Sequence, residues 1–463
     1  MVYVGPTSNH HLMGTINSMR SPSTAPSDAT IAPAKPTFSV VEVHLFRIFQ
    51  MKVHPAFPVV CGDHYPELAE FVQQAISHNI LRHIMLAIGS FLLDEADLVN
   101  WNISRETLLS FYTGAFTANV GPELENCSLQ NVKAFLLKAY YDALRGSLES
   151  ATVFNSEPPY THSVGIACAM AKRAGLHVRN TAESFRAPQE WSKEEMERLS
   201  VLWASLWLDR RLAVLEGRVC HIDRNDVSSP MPLSLMEGTG FLDRSLSVEL
   251  VYACSIEFFC LQDVALNRLY GFPDNITKDD AISDGHMKFI TWFASLPTSM
   301  KNIAAGKRFH PSFLAFHLSF HAGLILLHRR SLNDDGQAAK LSNQRCEESA
   351  ATITSLLRSY HENFPCTMVD PMVLHAAFTS ALVHLSLLLK PDVIAYRSSL
   401  QALRTLKRIL LTYTRRSPPA STILEDLRDF AMRWDISPVN SPNFWMASGD
   451  DADTSSRFGN IEP

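Results

Sequence analysis

The sequence lacks an excess of positive charge. Its 463 residues carry 41 Lys and Arg against 47 Asp and Glu, which gives a formal net charge of −6. Binding to a phosphate backbone over a broad surface comes from clustered Lys and Arg, so this balance argues against a chain that covers nucleic acid by itself. Hydrophobic residues make up 46% of the chain and charged residues 19%, which is the balance of a folded protein rather than a disordered one.

Closely spaced cysteines are also missing. The chain has 8 cysteines, and no two of them are separated by only two residues. A zinc finger, a binuclear zinc cluster or a thioredoxin-like pair needs that spacing so that neighbouring thiols can share an ion or a bond. We therefore expect no zinc cluster or other cofactor, and we expect the thiols to be buried side chains in a reducing compartment.

Long apolar runs are absent as well. The most apolar stretch, 313–327, is interrupted by His317 and His321, and it is shorter than the roughly 20 residues that a bilayer requires. The first 39 residues contain no apolar core of a secretory signal. These features predict a protein without a membrane partner, located in the nucleus or alternatively in the cytoplasm.

Alternation of apolar and polar residues with period two is nearly absent, whereas helical spacing runs through the chain. This predicts an all-α fold, a large array of packed antiparallel helices over residues 37–436. Residues 1–36 are predicted to be a disordered leader, because a stretch so rich in Ser, Thr and Pro cannot bury enough apolar surface to offset its ordering entropy. Residues 437–463 are predicted to be a disordered acidic and aromatic tail.

Local signals place several helix ends. Ser192 and Glu195 have the spacing of a capping box, in which two side chains satisfy free backbone N–H groups of the first turn. The helix that they begin is predicted to stop at Gly217, and an earlier helix is predicted to stop at Gly175, since glycine tolerates the left-handed conformation of a helix C-terminus. Breaks are predicted at 219–244 and 271–285.

Motifs of the common catalytic sites are incomplete. Gly306 and Lys307 are followed by Arg308, where a phosphate-binding loop needs a hydroxyl for magnesium, and no G-x-S-x-G sequence occurs. We therefore expect that the chain is not an enzyme.

One pair of histidines could bind a metal ion. His317 and His321 are four residues apart, so on a helix they share a face. A third ligand could be His310 or His328, although neither continues that face cleanly. The alternative, that these are core histidines bonded to neighbouring groups, is favoured because two ligands make a poor site.

The segment from Trp203 to Arg218 is the most distinctive, because Asp209 and Arg210 fall inside an otherwise apolar helix. Buried charges are normally paired, since loss of one partner costs about 3–5 kcal/mol. One interpretation is a polar contact that joins this helix to a neighbour, and the other is the wall of an effector pocket. Ion pairs serve structure more often than function, so the first is favoured.

Several stretches in the same order resemble a known family. They are the sequence His-Pro-Ala-Phe-Pro at 54–58, a helix ending in Gly175, Leu176 and His177, the following helix with Arg198, Trp203, Asp209 and Arg210, the turn of Gly217 and Arg218, and the helix 317–329 that ends in His-Arg. This arrangement is similar to the fungal-specific transcription factor domain, the helical middle region of fungal zinc-cluster regulators. The resemblance covers roughly residues 40–390, and 165–230 is its most specific part.

The sequence also departs from that family. The run of arginines that the family has before the tryptophan is reduced to Arg198 in this chain. Val219 stands where the family usually has a proline. The six-cysteine cluster with which the family reads DNA is missing, and residues 1–36 contain no cysteine.

The resemblance implies a nuclear regulator of transcription, of which this chain would be the regulatory or dimerising body, and it implies control of a metabolic or biosynthetic gene cluster. Its partners would be the transcription machinery, a DNA-binding partner protein or a second copy of the chain, and DNA would be contacted only indirectly or through a missing segment. The alternative is a helical ligand-binding or enzyme-like protein on the same scaffold, because a fold does not fix a function. A convergent cavity of charged side chains would favour that alternative, and charges paired between helices would favour the regulator.

Overall fold

The computed structural model describes residues 39–60, 67–76, 78–146, 159–178, 191–236, 246–271, 276–303, 309–332, 334–364, 369–390, 393–415 and 417–445. Regular structure in these ranges is helical throughout and includes no strand, so the prediction of an all-α fold is confirmed. The leader 1–36 and the tail residues 446–463 lie outside the described ranges.

The chain forms two compact units. The first consists of the described residues within Met1–Tyr141, Pro159–Asp209 and His221–Leu235. Its helices are α1 (Val40–Lys52), α2 (Leu68–Ile76), α3 (Asn79–Phe91), α4 (Glu95–Trp101), α5 (Arg105–Glu123), most of α6 (Leu129–Arg145), α7 (Pro159–Arg173), the part of α8 (Lys193–Glu216) up to Asp209, and most of the short α9 (Pro232–Met236).

The second unit consists of the described residues within Asp142–Pro158, Arg210–Cys220 and Met236–Pro463. Its own helices are α10 (Val248–Tyr270), α11 (Lys278–Ser295), α12 (Thr298–Lys301), α13 (Pro311–His328), α14 (Gln337–Asn363), α15 (Pro371–Leu387), α16 (Val393–Tyr413), α17 (Pro418–Arg433) and α18 (Pro442–Trp445).

Helix α13 is the central helix of the second unit and packs against α10, α11, α14 and α15. Its length and apolar composition would be sufficient for a helix that crosses a membrane. However, 83% of its most apolar 18-residue segment is buried inside the protein. That burial is typical of the core helix of a globular unit.

The helix ends follow from local chemistry. Ser192 and Glu195 exchange the two hydrogen bonds of the predicted capping box, with the Ser192 N–H donating to Glu195 Oε2 over 2.6 Å and the Glu195 N–H donating to Ser192 Oγ over 3.2 Å. Gly175 and Gly217 have φ values of +68° and +70°, and both end their helices as predicted.

Two boundaries differ from the sequence prediction. Helix α11 begins at Lys278, inside the predicted break 271–285, because Thr277 caps its first turn and Asp279 and Asp280 favour the positive end of the helix dipole. The folded part also extends past residue 436. Trp445 is buried and its Nε1–H donates to the Val439 carbonyl over 2.8 Å, so the first residues assigned to the tail are packed.

In the first unit, α3 packs against both α1 and α5. The approach to α1 is close at Gly89, where an added Cβ would lie 2.5 Å from the Leu45 backbone oxygen. A backbone atom cannot rotate away as a flexible side chain can, so this position requires glycine.

We predict that Gly89→Ala lowers the free energy of unfolding by about 1–3 kcal/mol, the usual cost of overpacking a core. Gly121→Ala in α5 is the matched control, because a Cβ there meets nothing within 4 Å. It should be neutral or stabilising, since alanine favours a helix more than glycine does. Urea unfolding followed by circular dichroism measures both, and equal stability of the two variants would contradict the prediction.

Candidate regulatory motif around helix α8

The predicted motif residues lie on α7, on α8 and in the loop that follows α8. Helix α7 ends in a Schellman arrangement, in which the Leu176 N–H donates to the Ala171 carbonyl and the Gly175 N–H donates to the Lys172 carbonyl, each over 3.0 Å. Arg198 of α8 donates to the Ala174 carbonyl over 2.9 Å. A cation at this place satisfies one of the unpaired carbonyls of a helix C-terminus.

The loop after α8 returns to the end of α7. The Ser228 N–H donates to the His177 carbonyl over 3.0 Å, and the Ser229 hydroxyl donates to the Leu176 carbonyl over 3.1 Å. Trp203 of α8 donates its Nε1–H to the Pro230 carbonyl over 3.0 Å. The predicted residues Gly175, His177, Arg198 and Trp203 therefore hold α7, α8 and this loop together within the first unit.

Asp209 is fully buried and is the acceptor at the centre of this arrangement. Its Oδ2 accepts the backbone N–H of His221 over 2.7 Å and that of Ile222 over 3.2 Å, and its Oδ1 lies 2.8 Å from His221 Nδ1. Three polar contacts offset the desolvation of the buried carboxylate.

The arginines that follow Asp209 are paired within the second unit. Arg210 Nε lies 3.7 Å from Asp263 Oδ2 of α10. Arg211 pairs with Asp370, which also caps the first turn of α15 by accepting the Met372 N–H over 2.8 Å. Each arginine is thus bound to an acidic partner far away in the sequence.

Gly217 and Arg218 form the predicted turn. The Arg218 N–H donates to the Ala213 carbonyl over 3.1 Å, which closes the end of α8. The Arg218 side chain pairs with Glu216 and donates to the Val219 carbonyl over 2.9 Å.

The aromatic residue of the His-Pro-Ala-Phe-Pro stretch also contacts α8. Phe57 is fully buried, its ring stacks on Trp207 with centroids 5.0 Å apart, and it lies 5.2 Å from Tyr140. The stretch 54–58 therefore packs directly on helix α8 within the first unit.

Sequence reasoning missed Lys133 of α6. Its side chain is almost fully buried, and its Nζ donates to the Val60 carbonyl over 2.7 Å and to Glu197 Oε1 of α8 over 2.6 Å. Its position inside an apolar helical pattern was the available signal, the same signal that identified Asp209. The partners His221, Asp263 and Asp370 were also missed, because no local pattern marks a partner that is distant in the sequence.

The pair His317 and His321 has a different environment. His317 is buried on α13 beside the rings of Phe313 and Phe316, at centroid distances of 4.6 Å and 5.3 Å. Burial lowers the pKa of both imidazoles to about 4. In the described ranges neither belongs to a group of three candidate metal ligands.

The proposed third ligands of that pair are used elsewhere. His310 caps α13 by accepting the Ser312 N–H over 3.3 Å. His328 contacts Ser342 over 3.0 Å and His286 over 2.9 Å. A metal ion on α13 would therefore have only the two histidine ligands His317 and His321 from this group of four.

Comparison with known proteins shows similarity to one family over part of the chain. Residues 47–255 match the model of the fungal specific transcription factor domain. The match includes α7, α8 and the loop after them, and it ends before residue 390, where the resemblance seen in the sequence was expected to end.

Three curated fungal proteins are similar to this chain. The citrinin biosynthesis transcriptional activator mrl3 of Monascus ruber is 23% identical over 240 residues, which are 50% of this chain and 44% of that protein. The activator ctnR of Monascus purpureus is also 23% identical over 240 residues, 50% of this chain and 39% of that protein. The uncharacterized transcriptional regulatory protein C1683.13c of Schizosaccharomyces pombe is 23% identical over 372 residues, 73% of this chain and 56% of that protein.

The chain thus spans about half the length of the curated relatives that it matches. No solved structure matches it.

The burial of Asp209 leads to a stability prediction. We expect Asp209→Asn to lower the free energy of unfolding by about 3 kcal/mol, because an amide cannot accept all three contacts of the buried carboxylate. Asp223→Asn is the control, since this exposed residue of the same loop only accepts the Asn225 N–H, a role that asparagine also fills. Urea unfolding measures the free energy of unfolding of both variants. An equally small decrease in the two would contradict the predicted stabilising role of Asp209.

The buried histidines lead to a pH prediction. Burial lowers the pKa of His317 and His384 from 6.5 to about 4. Between these values the unfolded chain binds more protons than the folded one, so this contribution to stability is complete above pH 6.5 and is lost as the pH falls towards 4. Each histidine changes the free energy of unfolding by up to about 1.4 kcal/mol per pH unit within this range.

We expect His317→Leu to weaken this pH dependence. Thermal unfolding of the wild type and the variant at pH 7, 6 and 5 measures it. The melting temperature of the wild type should fall more steeply with acid than that of the variant, and identical slopes would overturn the prediction.

Proposed function

We propose that this chain is the regulatory body of a fungal transcription regulator. The observation that carries the proposal is the family match over residues 47–255, together with the contacts of the matched motif residues. The relatives named above are described as transcriptional activators or as a transcriptional regulatory protein, which supports the same function.

The genes under control are proposed to belong to a biosynthetic pathway. Two relatives are named as activators of the biosynthesis of citrinin. The similarity to these relatives supports this class of target gene.

Contact with DNA is proposed to come through a partner protein or through a segment outside the described residues. The net charge of −6 argues against a broad phosphate-binding surface on this chain. The partners would then be a DNA-binding protein, the transcription machinery and, for dimerisation, a second copy of the chain. The site of action would be the nucleus.

The charges of the motif support a regulatory body over an enzyme. A catalytic cavity requires charged groups that converge on a substrate. Here Asp209, Arg210 and Arg211 are paired with loop N–H groups or with acidic partners. Such pairing positions helices, so we propose no catalytic residue and no resident cofactor for this motif.

A tethered reporter assay tests the proposal. The full chain is fused to a DNA-binding module of known site and expressed with a reporter that carries this site. We expect transcription to change several-fold relative to the module alone, because a regulatory body recruits or blocks the machinery without reading DNA itself. A second fusion that ends at Trp445 tests whether residues 446–463 contribute.

Two variants serve as controls for the assay. The Asp223→Asn fusion should act like the wild type, whereas the Asp209→Asn fusion should lose the effect with its stability. A reporter signal equal to that of the module alone, from fusions shown to be present in the nucleus by immunoblot, would overturn the proposal.

A further inference from the structure

Three exposed cations of the second unit have neutral partners. Arg329 and Arg330, which follow α13, lie over the ring of Tyr270, with their guanidinium carbons 5.8 Å and 5.4 Å from its centroid. The Arg329 Nε–H donates to the Tyr270 hydroxyl over 3.3 Å. Lys390, which follows α15, donates its Nζ–H to Asn343 Oδ1 over 2.8 Å. In the described ranges no carboxylate pairs with any of these three side chains, which we call the basic surface.

The lysine and the arginines belong to one region of the second unit. Asn343 of α14 joins them, because it accepts from Lys390 and donates its Nδ2–H to the Leu332 carbonyl, just after the arginines, over 3.4 Å. Burial raises the pKa of the Cys346 thiol to about 12, and Lys390 and Arg329 are the two charges that oppose this rise. Both cations therefore lie near the same thiol.

The chemistry of the basic surface fits an acidic ligand. Charges of one sign that are close together repel one another, and a bound anion relieves that repulsion. A guanidinium has five N–H donors in a fork that matches a carboxylate, and Tyr270 accepts only one of those of Arg329. The nearby carboxylate of Asp334 is already paired with Lys278. A carboxylate that neutralises this surface must therefore come from elsewhere.

Exposed apolar side chains lie next to Lys390 in the sequence. Leu389 is 58% exposed and Val393 is 64% exposed. Burial of apolar area stabilises a contact by about 25 cal/mol per Å², whereas an exposed ion pair contributes at most about 1 kcal/mol. A ligand that binds this surface therefore needs apolar groups as well as carboxylates.

The C-terminal segment 446–463 has this composition. It contains one basic residue, Arg457, and the apolar residues Phe458 and Ile461. Its acidic residues are more numerous and are Asp450, Asp451, Asp453 and Glu462. The segment thus combines an excess of negative charge with apolar side chains.

The chain that leads to this segment passes close to the basic surface. Tyr396, in the first turn of α16 and shortly after Lys390, donates its hydroxyl to the Ser437 carbonyl over 3.0 Å. The ring of Phe444 then lies 5.6 Å from Lys407 Nζ, which is at most roughly 30 Å from Lys390 along α16 and the residues before it. The segment 446–463 spans up to about 60 Å when extended, so it is long enough to return to Lys390.

We propose that the segment 446–463 docks on the basic surface of its own chain. Its carboxylates pair with the three cations, and its apolar side chains cover Leu389 and Val393. Because segment and surface are parts of one chain, the effective concentration of the segment is of the order of mM, so weak contacts are sufficient for docking. An acidic partner protein must displace the segment to reach the same surface.

Zero-length cross-linking of the full chain with a carbodiimide tests this docking, because the reagent joins a lysine amine to a carboxylate that is in contact with it. At low salt, mass spectrometry should find Lys390 joined to Asp450, Asp451 or Asp453. The yield should fall several-fold in about 1 M NaCl, where the screening length is about 3 Å. Absence of this product from the wild type at low salt would overturn the proposal.

Two arginine variants separate docking from chance encounter. Arg330→Gln removes one exposed cation of the basic surface and should lower the cross-linking yield several-fold. Arg358→Gln is the matched control, because it removes the same charge from an exposed position of α14 that lies roughly 20 Å along the helix from Asn343. It should cross-link like the wild type, and equal yields from the two variants, both shown to be folded by circular dichroism, would contradict docking on this surface.

A mixture of isotope-labelled and unlabelled chains identifies which copy supplies the segment. The cross-linked peptides should carry a single label, because the segment docks on its own chain. Mixed labels as frequent as single labels would show that a second copy supplies the segment and would overturn the proposal. These results do not depend on the proposed regulatory function, which the reporter assay tests independently.

Discussion

The structure around the motif depends on one constraint, which is that a carboxylate removed from water must be given hydrogen-bond donors. Asp209 is fully buried, and a loop that begins twelve residues later supplies two backbone N–H groups and an imidazole. To bring these donors to Asp209, α8 must stop and the chain must reverse, and the left-handed Gly217 provides that turn. Once the loop is anchored at His221, its later residues can reach the carbonyl groups at the end of α7 and the indole of Trp203.

Local signals in the sequence predicted the local part of this arrangement. The helical period, the capping box at Ser192 and the stops at Gly175 and Gly217 depend on interactions within one turn of chain, and the structure confirms them. The paired state of Asp209 was also predictable, because an unpaired buried charge is too costly to remain. Its partner was not predictable, since the identity of a group twelve residues away is set by how the chain folds back. The partners of Arg210 and Arg211 lie still farther along the chain.

The errors of the sequence prediction have the same origin. Helix α11 begins within a segment predicted as a break, because the cap at Thr277 outweighs the polar composition that follows it. The segment around Trp445 was assigned to a disordered tail by its acidic and aromatic composition, and yet the indole is buried. Lysine is normally exposed, whereas Lys133 is buried because a carbonyl and Glu197 bind its ammonium group. In each case the structure is determined by a contact that cannot be deduced from the amino-acid composition.

The motif that resembles the family is therefore, in physical terms, a set of contacts that join α8 to its surroundings. Arg198, Trp203 and Asp209 carry the resemblance, and each is engaged in a contact between α8 and its surroundings.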